Sequence, residues 1–203
     1  IPANSFPYKT ASNVRYDVGD FHQVLDKVIE KCDLAGFEKR RADSTAKGLL
    51  RGMGLCCYIE SILGNPTETS RVVFNEDGTL DLFVGTQSNG QGHETVYAQY
   101  LSDQTGLPVE KINIIQGDSD KIPTGGGTGG SRSATVQNTA TLALVRTLTE
   151  RYAEFLGQYH DVEVTSVTFD DEVFRLGGSN VVFSLMDAAG LARIEGKQDL
   201  LDI

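Results

Sequence analysis

The stretch Gly85-Thr86-Gln87-Ser88-Asn89-Gly90-Gln91-Gly92-His93-Glu94-Thr95 joins two different hydrophobic patterns. The residues before it alternate between apolar and polar (Leu80, Leu82, Val84), whereas those after it are spaced as on one face of a helix (Val96, Tyr97, Tyr100, Leu101). A strand is therefore predicted to enter this loop and a helix to leave it. Glycines at a helix N-terminus leave backbone N–H groups free for an anion or a polar ring.

This first loop matches neither common phosphate-binding pattern. No Gly-Lys-Ser/Thr follows it, as in a Walker loop, and its glycine spacing differs from that of the dinucleotide fingerprint. Its three amide side chains can both donate and accept hydrogen bonds, which suits the edge of a heterocycle (Gln87, Asn89, Gln91). A tight strand-to-helix turn without a ligand is the alternative. We expect Glu94 to favour the helix dipole, and His93 either to cap the helix or to bind a ligand.

A second glycine-rich stretch runs from Gly117 to Ser133, between a short predicted strand at Ile112–Ile115 and a long predicted helix. Five of the six residues from Gly125 to Gly130 are glycine, so ordering this segment has a high entropic cost unless something binds against it. Three residues at the helix start could form a phosphate cradle (Ser131, Arg132, Ser133). A flexible linker is the alternative for the loop, and a surface ion pair is the alternative for Arg132.

The remaining pattern predicts an α+β fold with mixed sheets and helices. Asp20 should cap a helix that begins at Phe21, and Asn75–Gly78 should turn a hairpin. Leu49–Leu63 has the composition of a long strand, although it contains two glycines. The long helix after the second loop should be capped by Ser131 or Ser133, bury one stripe (Leu144, Val145, Leu148, Tyr152, Phe155) and end just before Gly157. Ser184 with Asp187 should cap a last short helix.

Composition excludes several classes of protein. The chain has 203 residues, 39% of them hydrophobic, and a formal net charge of −10. That charge argues against nucleic acid or an anionic membrane surface as a partner. Three cysteines are too few for a disulfide framework, so we expect a reducing, cytoplasmic location (Cys32, Cys56, Cys57). Three histidines assemble no zinc or iron site, and we assign no catalytic or metal-ligating residue (His22, His93, His160).

Four segments together resemble the large subunit of the molybdenum hydroxylases, the carbon monoxide dehydrogenase, aldehyde oxidase and xanthine dehydrogenase family. They are Gly85-Thr86-Gln87, Gly90-Gln91-Gly92-His93-Glu94-Thr95 with Ala98-Gln99, Gln116-Gly117-Asp118-Ser119-Asp120, and Gly129-Gly130-Ser131-Arg132-Ser133. The resemblance extends from about Tyr8 to about Ala192. It implies that residues 1–203 form part of a molybdopterin-binding domain, with cofactor loops at 85–95 and 117–133.

The resemblance also implies a cofactor and partners. Molybdopterin cytosine dinucleotide with molybdenum would be held by both loops (Gly90, Gln91, Gly92, His93, Thr128, Gly129, Ser131, Arg132, Ser133). The complete enzyme would add the rest of the large chain and iron–sulfur and FAD subunits or domains, and would hydroxylate an aldehyde, a heterocycle or carbon monoxide oxidatively. An independent, non-redox module that binds phosphate or a nucleotide is the alternative function.

One family motif has no match in the sequence. The family's general base is a glutamate in a Gly-x-Gly-Glu motif, whereas the nearest candidate here, Glu195, precedes its glycine. We therefore expect these 203 residues to be a fragment that is inactive and without cofactor when isolated, and to have no membrane-bound segment.

Overall fold

The computed structural model describes all 203 residues, which form two compact units, residues 1–59 and 60–203. Helices and three small sheets are mixed in the chain, so the predicted α+β class is confirmed. No helix has the length and apolar character needed to span a bilayer.

The first unit contains a two-stranded hairpin, β1 (Tyr8–Lys9) and β2 (Arg15–Tyr16), followed by helices α1 (Phe21–Lys31) and α2 (Phe37–Thr45). The predicted cap of α1 is confirmed, because the Asp20 carboxylate accepts a hydrogen bond from the Gln23 N–H at 3.0 Å. The cap satisfies one of the N–H groups that have no partner inside the helix.

The predicted strand at Leu49–Leu63 is wrong. No residue from 49 to 63 lies in a strand, and the side chain of Leu50 is fully exposed. A strand needs a neighbour for its backbone N–H and C=O groups, and no strand of the chain pairs with this stretch. The composition of this stretch favours a strand, but no other strand lies beside it to pair with.

The second unit is built on a three-stranded sheet in the order β3 (Ser70–Phe74), β4 (Leu80–Val84), β5 (Ile112–Ile115). The hairpin of β3 and β4 is antiparallel, as the Asn75–Gly78 turn predicted. Strands β4 and β5 are parallel, with Leu82 opposite Ile114, and helix α3 (His93–Thr105) connects them. This single βαβ unit places the loops after β4 and after β5 at the same edge of the sheet.

Helix α4 (Ser133–Tyr159) is the longest element and packs along α3 and the sheets. Its predicted apolar stripe is buried, as expected. Its predicted end is wrong, because Gly157 lies inside the helix. A Cβ on Gly157 would lie 3.3 Å from the Cα of Val164. The glycine therefore permits close packing rather than stopping the helix.

A second sheet completes the core. It contains β6 (Val167–Asp170), β7 (Val173–Leu176) and β8 (Val182–Ser184), all antiparallel, and helix α5 (Leu185–Ile194) follows directly. The predicted cap of α5 is confirmed: Ser184 and Asp187 bond to each other's backbone N–H in a capping box.

We expect Tyr152→Phe to destabilise the second unit and to make its free energy of unfolding depend less on pH in the alkaline range. The buried hydroxyl donates to the carbonyl of Leu200 at 2.6 Å, so its loss should lower the free energy of unfolding by about 1 kcal/mol. Burial raises the pKa of Tyr152 well above the ordinary value of 10.0. The stabilisation of the folded state by the protonated Tyr152 hydroxyl is complete below pH 10. It is lost as the pH rises further, because the phenol of the unfolded chain releases its proton at a lower pH than the buried one.

Denaturant titrations at neutral and alkaline pH measure both effects. Tyr159→Phe is the matched control, because Tyr159 lies on the same helix and its side chain is 47% exposed. An unchanged dependence of unfolding on pH above 10 in Tyr152→Phe would contradict this account of the buried phenol.

Candidate functional site

The two glycine-rich loops meet at the carboxyl edge of the β4–β5 pair. The first begins at Gly85, directly after β4, and the second follows β5. Their backbones touch, since a Cβ built on Gly85 would lie 2.7 Å from the Cα of Gly125. Two hydrogen bonds also join them: the Gly127 N–H donates to the Gly85 carbonyl at 3.2 Å, and the Thr128 hydroxyl donates to the Gln87 carbonyl. Both loops therefore belong to one surface.

In the first loop, Gly90, Gln91, Gly92 and His93 lead into α3. Gly92 is the N-cap with φ +83°, a left-handed conformation that favours glycine, and no side chain caps the helix. The Gln91 side chain is exposed, and its Oε1 accepts a hydrogen bond from the Asn89 N–H at 2.5 Å. The Gln91 Nε2 group makes no hydrogen bond within the chain. This loop therefore presents an amide donor beside an uncapped helix N-terminus.

His93 points into the protein. It is 5% exposed, its Nδ1 lies 3.2 Å from the Thr86 carbonyl oxygen, and its ring centroid lies 4.9 Å from that of Tyr97. Thr86 in turn hydrogen-bonds the Tyr97 hydroxyl at 2.7 Å and donates to Gln137 Oε1 at 3.1 Å. Burial raises the pKa of Tyr97, which keeps its hydroxyl protonated. This buried network links the starts of α3 and α4.

Glu94 and Gln116 connect the two loops at the surface. The Gln116 amide donates to the Glu94 carboxylate and accepts a hydrogen bond from the Ser88 N–H at 2.8 Å. Glu94 lies in the first turn of α3, where a negative charge is favoured by the helix dipole. Its position agrees with the structural role expected from the sequence.

The second loop reaches α4 through Thr128, Gly129, Gly130 and Ser131. Gly130 and Ser131 both have left-handed backbones, with φ +60° and +54°. No hydrogen bond within the chain uses the N–H groups of these four residues. The expected serine cap is wrong: the N-cap is Arg132, and no side chain caps the helix. The Ser131 hydroxyl is instead bonded to Glu60 and that of Ser133 to Thr128, the latter at 3.2 Å.

Arg132 is buried beneath the loop, with 3% of the residue exposed. Its guanidinium donates to three backbone carbonyls at 2.7–2.8 Å (Asn65, Thr67, Gly127) and to the carboxylate of Glu68 at 3.2 Å. The alternative of a surface ion pair is therefore wrong, because the side chain of Glu68 is only 1% exposed. Sequence reasoning missed Glu68, which stands alone in a polar stretch.

The site combines two uncapped helix N-termini, an exposed amide and glycine surfaces at one sheet edge. Backbone N–H groups at such positions bind anionic or hydrogen-bond-accepting ligands. No group of three or more His, Cys, Asp or Glu side chains converges anywhere in the chain. The chemistry that these residues offer directly is hydrogen-bond donation to a large polar ligand.

Comparison with known proteins finds similar sequences over most of this chain. The sequence model of the molybdopterin cofactor-binding domain family matches residues 27–199. The carbon monoxide dehydrogenase large chain of Hydrogenophaga pseudoflava is 28% identical over 201 residues, which cover 92% of this chain and 25% of that protein. The nicotine 6-hydroxylase large subunit of Paenarthrobacter nicotinovorans is 32% identical over 144 residues, which cover 64% of this chain and 18% of the subunit. The chain thus spans about a quarter or less of these relatives' length.

Solved structures share the fold. Quinoline 2-oxidoreductase from Pseudomonas putida 86 aligns over 96% of this chain and 26% of its own, with a TM-score of 0.64 and 21% identity. A Cu,Mo-CO dehydrogenase aligns over 93% of this chain and 26% of its own, with a TM-score of 0.60 and 23% identity. At this identity the structures show the fold alone. The alternative of a non-redox phosphate- or nucleotide-binding module finds no support among these relatives. The family match over most of the sequence establishes that this chain belongs to the molybdopterin cofactor-binding domain family.

Proposed function

We propose that the two loops bind molybdopterin cytosine dinucleotide and that the chain acts as part of a molybdenum hydroxylase large subunit. One observation carries this proposal: two uncapped helix N-termini, each preceded by glycines, open at the same sheet edge. Family membership gives the pterin cofactor as the class of ligand. The donor set fits it, because a pterin and a pyrophosphate both offer many acceptors to N–H groups.

Each loop would have its own part in binding. In the first loop Gly90 and Gly92 leave room beside the backbone, Gln91 offers its free amide, and buried His93 fixes the helix start. In the second, the N–H groups of residues 128–131 and of the first turn of α4 would meet acceptors of the cofactor. Thr128, Gly129, Ser131 and Ser133 line this segment, and Arg132 supports it from below.

The bound cofactor would supply molybdenum as the electron acceptor for oxidative hydroxylation of an aldehyde, a heterocycle or carbon monoxide. The residues described here would bind and orient that group. We place the remaining machinery in the rest of the large chain and in iron–sulfur and FAD subunits or domains, and the whole enzyme in the cytoplasm. The relatives named as a large chain or a large subunit support the presence of further subunits.

The direct test is metal and nucleotide analysis of the whole polypeptide that carries this chain, purified with its partners from molybdate-supplied cells. We expect about one molybdenum atom and, after acid hydrolysis, one cytidine nucleotide per folded large chain. Guanosine nucleotide in place of cytidine would correct the dinucleotide form. Absence of both molybdenum and pterin from well-folded protein would contradict the proposed function.

We further expect Gly129→Ala to lower cofactor affinity without affecting the fold. A Cβ on Gly129 meets no protein atom within 4 Å, so the free energy of unfolding without cofactor should change by less than about 0.5 kcal/mol. The added methyl group would overpack a cofactor that lies against this residue by about 1–3 kcal/mol, which corresponds to a loss of affinity of roughly 5- to 150-fold.

Molybdenum content at limiting cofactor, with circular dichroism to verify the fold, measures that effect. Gly190→Ala is the matched control, since its Cβ also meets open space but lies on α5. If both variants load like the wild type, Gly129 is not a cofactor contact.

A further inference from the structure

Glu68 is a buried carboxylate outside both glycine-rich loops. It lies two residues before β3, and its side chain is 1% exposed. Its Oε2 accepts hydrogen bonds from the Gly126 N–H at 2.9 Å and from Arg132 Nη1 at 3.2 Å, and its Oε1 accepts one from the Thr69 N–H at 3.2 Å. Both long-range partners of this carboxylate belong to the second loop or to its junction with α4.

Arg132 extends this contact along the loop. Besides Glu68 it binds the Gly127 carbonyl at 2.8 Å and two carbonyls of the segment before β3 (Asn65, Thr67). We call the group formed by Glu68, Arg132, Gly126 and Gly127 the loop clasp. It fastens a glycine-rich segment, which has little conformational preference of its own, to the start of the sheet.

The loop clasp leaves no space for a side chain at the glycines that contact it. A Cβ on Gly126 would lie 2.6 Å from Arg132 Nη1, and one on Gly85 would lie 2.2 Å from Glu68 Oε1. A buried ion pair is weak support for stability, because removing two charges from water offsets most of their attraction. Here the pair has a different consequence, since it fixes one backbone conformation of the loop.

We propose that Glu68 is a positioning residue for the cofactor loop. It binds Gly126 and Arg132 from the protein side, so that the N–H groups of Thr128–Ser131, which have no partner in the chain, remain free and aligned for the ligand. This inference rests on the proposed function and adds to it a residue that contacts no cofactor. Glu68 acts only through the loop.

The test compares Glu68→Gln with wild type in the whole polypeptide. Glutamine keeps the size and one acceptor but removes the charge that binds Arg132. In protein prepared without molybdate we expect amide hydrogen exchange at Gly126 and Gly127 to accelerate about tenfold or more, since a hydrogen bond to a charged group is lost. In protein prepared with molybdate we expect cofactor affinity to fall by a similar factor.

A single substitution leaves one buried charge unpaired and could prevent folding. The double variant Glu68→Leu with Arg132→Met therefore replaces the pair by apolar side chains of similar size. Because the Gly126 N–H and three backbone carbonyls lose their partners as well, we expect it to fold with lower stability than the wild type, to exchange its loop amides faster and to load less cofactor per folded protein. A core variant that loses stability without losing loading separates this effect from general destabilisation.

Two controls complete the design. Leu148→Ala creates a cavity in the core on α4 and should lower stability without lowering loading per folded protein. Asp199→Asn removes an exposed ion pair with Arg151 and should change neither. Wild-type loading in the folded Glu68 variants, or loss of loading without faster loop exchange, would overturn the inference. Wild-type protein without molybdenum or pterin would instead overturn the proposed function, whereas loop exchange would still report on the clasp.

Discussion

The parallel pairing of β4 with β5 is the constraint on which the site depends. Parallel neighbours end at the same edge of a sheet, so the loops that follow them must lie side by side. In α/β sheets this carboxyl edge is the usual place for ligands. Here the crossover helix α3 starts at that edge and α4 starts beside it, so two positive helix ends share one surface. A single pair of strands thus brings together residues about forty positions apart.

Buried hydrogen bonds hold the glycine-rich surface of the site in one conformation. The Thr86–Tyr97–Gln137 network joins the start of the first loop, α3 and α4 beneath it, with all three side chains fully buried. Such a network specifies one arrangement, because an unpaired polar group there would be costly. The loop clasp has the same effect on the second loop. The glycines therefore allow two backbones to approach closely, as at Gly85 and Gly125, while the neighbouring side chains hold the loops in one conformation.

Local signals explain which elements could be predicted. The Asn75–Gly78 hairpin, the Asp20 cap and the Ser184–Asp187 box depend on residues within a few positions of each other, and all three were predicted correctly. The errors arose where a distant contact decides the outcome. Leu49–Leu63 finds no strand partner, and Ser131 binds Glu60 instead of capping α4.

The candidate site shows the same division. Both loops and their order are visible in the sequence, because glycine runs between a strand and a helix have a local signature. That they meet could not be derived from spacing, since it follows from the direction of β5 beside β4. Glu68 gives no signal at all in the sequence. Its importance follows from burial beside Arg132, which is a tertiary property.

The burial of Arg132 changes how charge is used in this site. An arginine in a Gly-Ser-Arg-Ser segment is an obvious candidate for an anion ligand, yet its guanidinium here has a carboxylate and three carbonyls as partners. Because Glu68 neutralises it, the pair adds no net charge beneath the loop. The attraction for an anionic ligand must then come from the backbone N–H groups and the helix ends. These dipoles are fixed in direction, so binding by them selects the shape and orientation of a ligand as well as its charge.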